Sequence, residues 1–141
     1  MAPDLSDDLR RDRLLARRDY AASLMSNSRW RAVLTVLDEA RPALQQIRIK
    51  FTDSDDIRSM GLPWLHAPHG SVDSFEFGPF PLITIEWIEV PAVAIFPRVD
   101  GVAAARQSQD IDAVDTALTT LGRQLPIVRT PEGLRIIGHL R

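Results

Sequence analysis

The chain has 141 residues, of which 45% are hydrophobic and 26% charged, and its net charge is -2. This is the composition of one ordinary globular domain, and a chain of this length buries roughly 65–70% of the surface its unfolded form exposes. The absence of cysteine excludes disulfides, thiolate zinc sites and a cysteine nucleophile, and a pI of 5.9 sets the chain apart from dedicated nucleic-acid binders.

In chain order, Met1–Ser6 reads as a loose tail. Asp7–Met25 reads as a peripheral helix, with Leu14, Ala21 and Leu24/Met25 at helical spacing and Asp7 and Asp8 at the end where the helix dipole favours acids. Asn27 or Ser28 is expected to cap a second helix, in which Trp30, Val33, Leu34 and Leu37 recur at i, i+3, i+4 and i+7 and which stops before Pro42. Ile47, Ile49 and Phe51 alternate with Gln46, Arg48 and Lys50, the pattern of a half-buried strand. Ser59–Ser74, rich in Pro and Gly, is expected to be irregular, and Phe75 and Phe77 to flank Glu76 in a short strand.

Leu82–Val90 is the strongest β run. Ile83, Ile85 and Trp87 are expected on one face, with Thr84, Glu86, Ile88 and Val90 on the other. Ala92–Phe96, between two prolines, fits an edge strand at best; Asp100-Gly101 signals a turn, and Val102–Gln107 fits strand or loop equally. Ile111, Val114, Leu118, Leu121 and Leu125 step at helical spacing behind a cap at Ser108 or Asp110, with Gly122 near the end. Ile127–Thr130 and Leu134–Leu140 form two strands around Pro131-Glu132-Gly133. The expected fold is a single α+β domain over 1–141: a mostly antiparallel sheet with two N-terminal helices and one late helix packed on it, ending in a β-hairpin.

The apolar stretch Pro79–Phe96 is interrupted by Glu86, Glu89 and prolines, short of the ~20 apolar residues a spanning helix needs, and the N-terminus lacks an apolar signal-peptide core. A cytoplasmic location, without membrane or nucleic-acid contact, is the expectation.

Two clusters carry candidate chemistry. His66 and His69, with Asp73 four residues on, supply three candidate ligands within eight positions, enough for a metal site, although a Pro-rich loop does not impose a common face on them. Asp53, Asp55 and Asp56 resemble the opening of a calcium loop, but Arg58 stands where that loop needs glycine and Trp64 where it needs glutamate. The plainer readings are a solvated loop for the first cluster and a solvated turn for the second. No Gly-rich phosphate loop and no Gly-x-Ser-x-Gly nucleophile turn occurs. Glu86 points from the strong strand either to solvent or to an arginine of a partner.

The segments Ile83-Thr-Ile-Glu-Trp-Ile-Glu-Val90 after Phe77-Gly78-Pro79, Ser28-Arg-Trp30, and the ending Leu125-Pro-Ile-Val-Arg-Thr-Pro-Glu-Gly-Leu-Arg-Ile-Ile-Gly-His139 resemble a family of small bacterial proteins with an Ile-Glu-Trp strand and a closing Ile-x-Gly-Tyr. The resemblance spans most of Ser28–Arg141 and implies no activity; His139 stands where that ending has Tyr.

The expected function is that of a non-catalytic protein-binding domain, of the immunity or antitoxin kind that neutralises a cognate toxin, without cofactor. A small acidic domain complements a basic partner site, with Trp64 as anchor and Asp53, Asp55, Asp56 and Glu86 as further contacts. The alternatives are a small metal-dependent enzyme using Asp53, Asp55, His66 and His69, and a structural or regulatory homo-oligomer that pairs through the sheet face bearing Glu86 and Ile88.

Overall fold

The computed structural model describes residues 22–41, 43–97, 101–122 and 124–140. The chain forms α+β architecture around a five-stranded antiparallel sheet of order β3-β2-β6-β10-β9. Its strands are β2 (Ile47–Phe51), β3 (Ile57–Met60), β6 (Ile85–Pro91), β9 (Ile127–Arg129) and β10 (Gly133–Ile137). Three two-stranded ribbons accompany it: β1 (Ala22–Ser23) with β11 (His139–Leu140), β4 (Ser71–Val72) with β5 (Phe80–Pro81), and β7 (Val93–Phe96) with β8 (Ala105–Ser108). Two helices, α1 (Asn27–Glu39) and α2 (Ile111–Thr119), occur among the described residues. Neither they nor any other described helix is long and apolar enough to cross a membrane.

Both helices follow from apolar spacing and a side-chain cap. Ser26, one residue before the expected caps, accepts the Arg29 N–H and opens α1, which buries Trp30, Val33, Leu34 and Leu37. Asp110 accepts the Ala113 N–H and opens α2, which buries Ile111, Val114 and Leu118. These stripes share one core with Ile47, Ile49, Ile85, Ile88, Val90, Leu134 and Ile136 of the sheet. Register places Ile49, Ile88 and Ile136 side by side across the three central strands, each at most 1% exposed, so each contributes on the order of 2 kcal/mol by leaving water.

One residue along, the same register lines up Arg48, Glu89 and Arg135 on the opposite face. The Glu89 carboxylate, 2% exposed, accepts from Arg135 Nη2 at 3.2 Å and Thr130 Oγ1 at 3.1 Å and lies 3.5 Å from Arg48 Nη1. Arg48 also pairs with Glu132, and the Arg135 guanidinium sits 4.0 Å from the Trp87 ring centroid. A buried carboxylate survives here because cations and a hydroxyl surround it.

Several expectations need correction. The end of the expected first helix is a strand: Ala22 and Ser23 pair with Leu140 and His139. The described residues therefore carry one N-terminal helix, and the rest of the expected one, 7–21, lies outside them, as do the tail 1–6, Pro42 and Asp100. A 22–23 pairing with residues more than a hundred positions away is invisible to local periodicity. The chain also does not end in the hairpin. β9 and β10 pair as expected, but Gly138 interrupts and β11 changes partner to β1.

Leu82–Thr84 is a 3-10 turn rather than strand. Lys50 pairs with Trp87 but Phe51 with Ile85, so the register shifts across Glu86. That bulge puts Trp87 on the charged face, opposite Lys50, and returns Ile88 and Val90 to the core with Ile85. Phe75 and Phe77 lie in a turn, not a strand, and Val102–Gln107 resolves into β8 from Ala105.

Two glutamines join the β7–β8 ribbon to the main sheet. Gln109 Oε1 accepts the N–H groups of Gln45 and Gln46, each at 3.0 Å, and its Nε2 donates to the carbonyls of Gln46 at 3.0 Å and Pro91 at 2.8 Å. Gln46 exchanges two bonds with the Ile95 backbone, at 2.8 and 3.0 Å. Each side chain thereby acts as a piece of strand backbone where no strand runs.

Candidate functional site

The segment between β3 and β6 is irregular but held at many points. Trp64 and Asp73 form an isolated antiparallel bridge with backbone bonds of 2.7 and 3.0 Å. Arg31 of α1 donates to the carbonyls of Ser71, at 3.0 Å, and Leu65, so the loop between the bridged residues is tied to the helix. Leu82 N–H closes its far side on Gly70 O at 2.8 Å.

A second closure follows at once. Ser74 and Gly78 exchange backbone bonds of 3.1 and 3.0 Å, and the buried Ser74 hydroxyl donates to Gly78 O at 2.9 Å while accepting Phe77 N–H at 3.0 Å. Gly78 has φ 67°, a left-handed conformation in which a side chain is strained. Three aromatic rings anchor the inner side: Phe77 meets Phe51 and Phe80 edge-on at centroid distances of 5.6 and 6.4 Å, with Arg58 over its face at 4.6 Å. The tip therefore has little freedom, and it presents Phe75 with 87% of its surface exposed. Ser74→Ala removes two of these bonds and is expected to cost about 2 kcal/mol in chemical denaturation. Amide exchange at 75–78 should accelerate by more than global unfolding accounts for.

Phe75 and Trp64, the latter 45% exposed, border an open groove of about 470 Å³ with Arg41, Gln45, Leu62 and Glu76. Arg41 is engaged by Asp38 at 3.0 Å and by Leu62 O at 3.2 Å, and Glu76 Oε1 accepts Gly61 N–H at 3.1 Å. The Trp64 indole stacks on His66, with centroids 6.1 Å apart and planes at 29°.

The other expected site residues lie apart from this groove. Asp53, Asp55 and Asp56 are exposed in the β2–β3 turn, next to the Lys50–Ile57 pair, whereas the groove opens beyond the other end of β3, past Met60. Glu86 is 5% exposed, and its carboxylate lies 2.5 Å from Lys50 Nζ in the charged layer of the sheet. His66 Nε2 faces Asp73 Oδ2 at 3.6 Å, and His69 is exposed. Among the described residues, no three His, Asp or Glu side chains converge as a metal ion would require.

Sequence reasoning missed Phe75, Glu76 and Arg41. The readable signal for the first two was Ser74 and Gly78 at the two ends of a five-residue turn, which the Phe-Glu-Phe alternation masked. His139 is 4% exposed and donates from Nε2 to Ile83 O at 2.7 Å, so that nitrogen carries the proton.

Fold and surface together define an α+β domain with a rigid aromatic display beside its sheet. No family model, curated protein or solved structure matches the chain in comparison.

Proposed function

We propose that this chain is a non-catalytic protein-binding domain that engages its partner through Trp64 and Phe75. The observation that carries the reading is the Ser74–Gly78 turn, which uses four hydrogen bonds to hold an almost fully exposed phenylalanine. Exposing a large aromatic on a rigid loop gains nothing for a lone domain. It serves association, because the ordering cost of the contact has been met before the partner arrives. A role of the immunity or antitoxin kind, with a toxin of basic surface as the partner, suits the exposed aspartates 53, 55 and 56, which would steer the encounter without lying in the groove.

The test is recovery of a stoichiometric protein from native host extract by the wild type and by a Trp64→Ala/Phe75→Ala variant. Loss of that protein with the variant, at an unchanged unfolding midpoint, is expected, since exposed side chains contribute within about 0.5 kcal/mol to stability. Equal recovery by both proteins, or none by either, refutes the reading.

A further inference from the structure

The chemistry of the groove narrows what the partner inserts. Its lining includes the aromatic Trp64 and Phe75 and the buried Leu44 and Leu62, and its charged groups are Arg41 and Glu76. The two charges are not equivalent. Arg41 is spent on Asp38 and the Leu62 carbonyl. Glu76 has only one oxygen tied, by Gly61 N–H, and its other oxygen has no partner among the described residues. A carboxylate pinned by a backbone amide, in a groove that two exposed aromatic side chains also line, complements a cation on a long apolar stem: the stem would pack on the aromatic groups and the carboxylate would accept the cation's N–H groups.

We propose that the groove receives an arginine or lysine side chain of the partner, carried on an extended segment, with Glu76 as its counter-charge and Trp64 and Phe75 as its walls. This rests on the reading of Trp64 and Phe75 as a protein-binding surface and adds the chemistry of what binds there. Leu44 and Leu62 in the lining suit an apolar residue next to the basic one.

Selection from a random twelve-residue peptide library, run in parallel on the wild type, Glu76→Gln and Phe75→Ala, tests this. Glutamine keeps an oxygen for Gly61 N–H while removing the charge, so Glu76→Gln isolates recognition from folding; thermal unfolding of each variant verifies that. The wild type should enrich peptides with Arg or Lys next to an apolar residue. Glu76→Gln should bind those same peptides about tenfold more weakly and lose the basic enrichment. Peptides that require Phe75 but show no basic preference, or keep it with Glu76→Gln, overturn this inference and leave the protein-binding reading standing. Failure to enrich any Phe75-dependent peptide overturns both.

Discussion

Replacing Gly138 by alanine is expected to lower stability by about 3 kcal/mol, and the melting temperature by roughly 10 °C, the largest loss from adding a single methyl group at this end of the sheet. A Cβ at this position would fall well inside van der Waals contact of the Ile85 carbonyl oxygen and 2.9 Å from Trp30 Cζ2. Neither neighbour can yield. The Ile85 carbonyl belongs to the central strand, and Trp30 is 1% exposed in the core. The Gly138 backbone is meanwhile fixed from both sides, donating to Glu86 O at 2.6 Å and accepting Leu24 N–H at 2.8 Å. These two bonds are where the chain leaves β6 and takes β1 as its new partner, so a shift that relieves the clash breaks the crossing. Urea denaturation of Gly138→Ala, with Gly122→Ala as reference, measures the effect. Gly122 has φ 69° but open space around it, so its substitution reports backbone strain alone, about 1 kcal/mol. Equal losses for the two would refute the steric account.

Gln109→Leu is expected to cost about 4 kcal/mol although leucine is similar in size and the site is only 4% exposed. The amide serves four backbone groups, two donors on Gln45 and Gln46 and two acceptors on Gln46 and Pro91. Leucine takes the partner from all four, three of them in buried bonds and the Gln45 N–H in a part-buried one, and an orphaned buried group costs about 1–3 kcal/mol where water does not reach it. Gln109→Glu separates the two halves of the network: it keeps the acceptor for the two N–H groups but sets a carboxylate oxygen against two carbonyls. At neutral pH it should be destabilised at least as much as Gln109→Leu. It should recover on acidification, because the protonated acid regains one donor while the leucine variant has no such group. A denaturation series from pH 7 to pH 4 on both variants distinguishes them, and parallel curves would refute the assignment.

Both residues show what local pattern conveys and what it leaves out. Gly138 reads as one more position in a terminal strand, and Gln109 as a polar residue between a turn and a helix cap. Their roles arise from neighbours 53 and 63 positions away, Ile85 and Gln46. The same limit explains the reading of Ala22–Ser23 as helix, and of Trp87 as facing with Ile85: a strand partner in the first case, and a bulge against β2 in the second, overrode the local period. The candidate site was legible in part. Trp64 stood out as an aromatic in an irregular segment, but Phe75 was absorbed into an apparent strand, and nothing in their spacing said that both border one groove with Arg41, just past the end of α1.

What the sequence by itself determined is the set of elements whose signal is complete within one or two turns or a few strand residues: α1 and α2 from their apolar stripes, the alternating β2, the β9–β10 hairpin around Pro131-Glu132-Gly133, and the absence of cysteine chemistry. Only the tertiary structure decided the order of the strands, the ionic row of Arg48, Glu89 and Arg135 behind the isoleucine row, the partner change at Gly138, and the joining of Trp64, Phe75 and Glu76 into one surface. The physical reason is range. Helix stripes, caps and turns are set by interactions a few residues apart, which any reader of the chain sees. Sheet register and grooves are set by contacts whose partners the chain brings together only when it closes its long loops around the shared core.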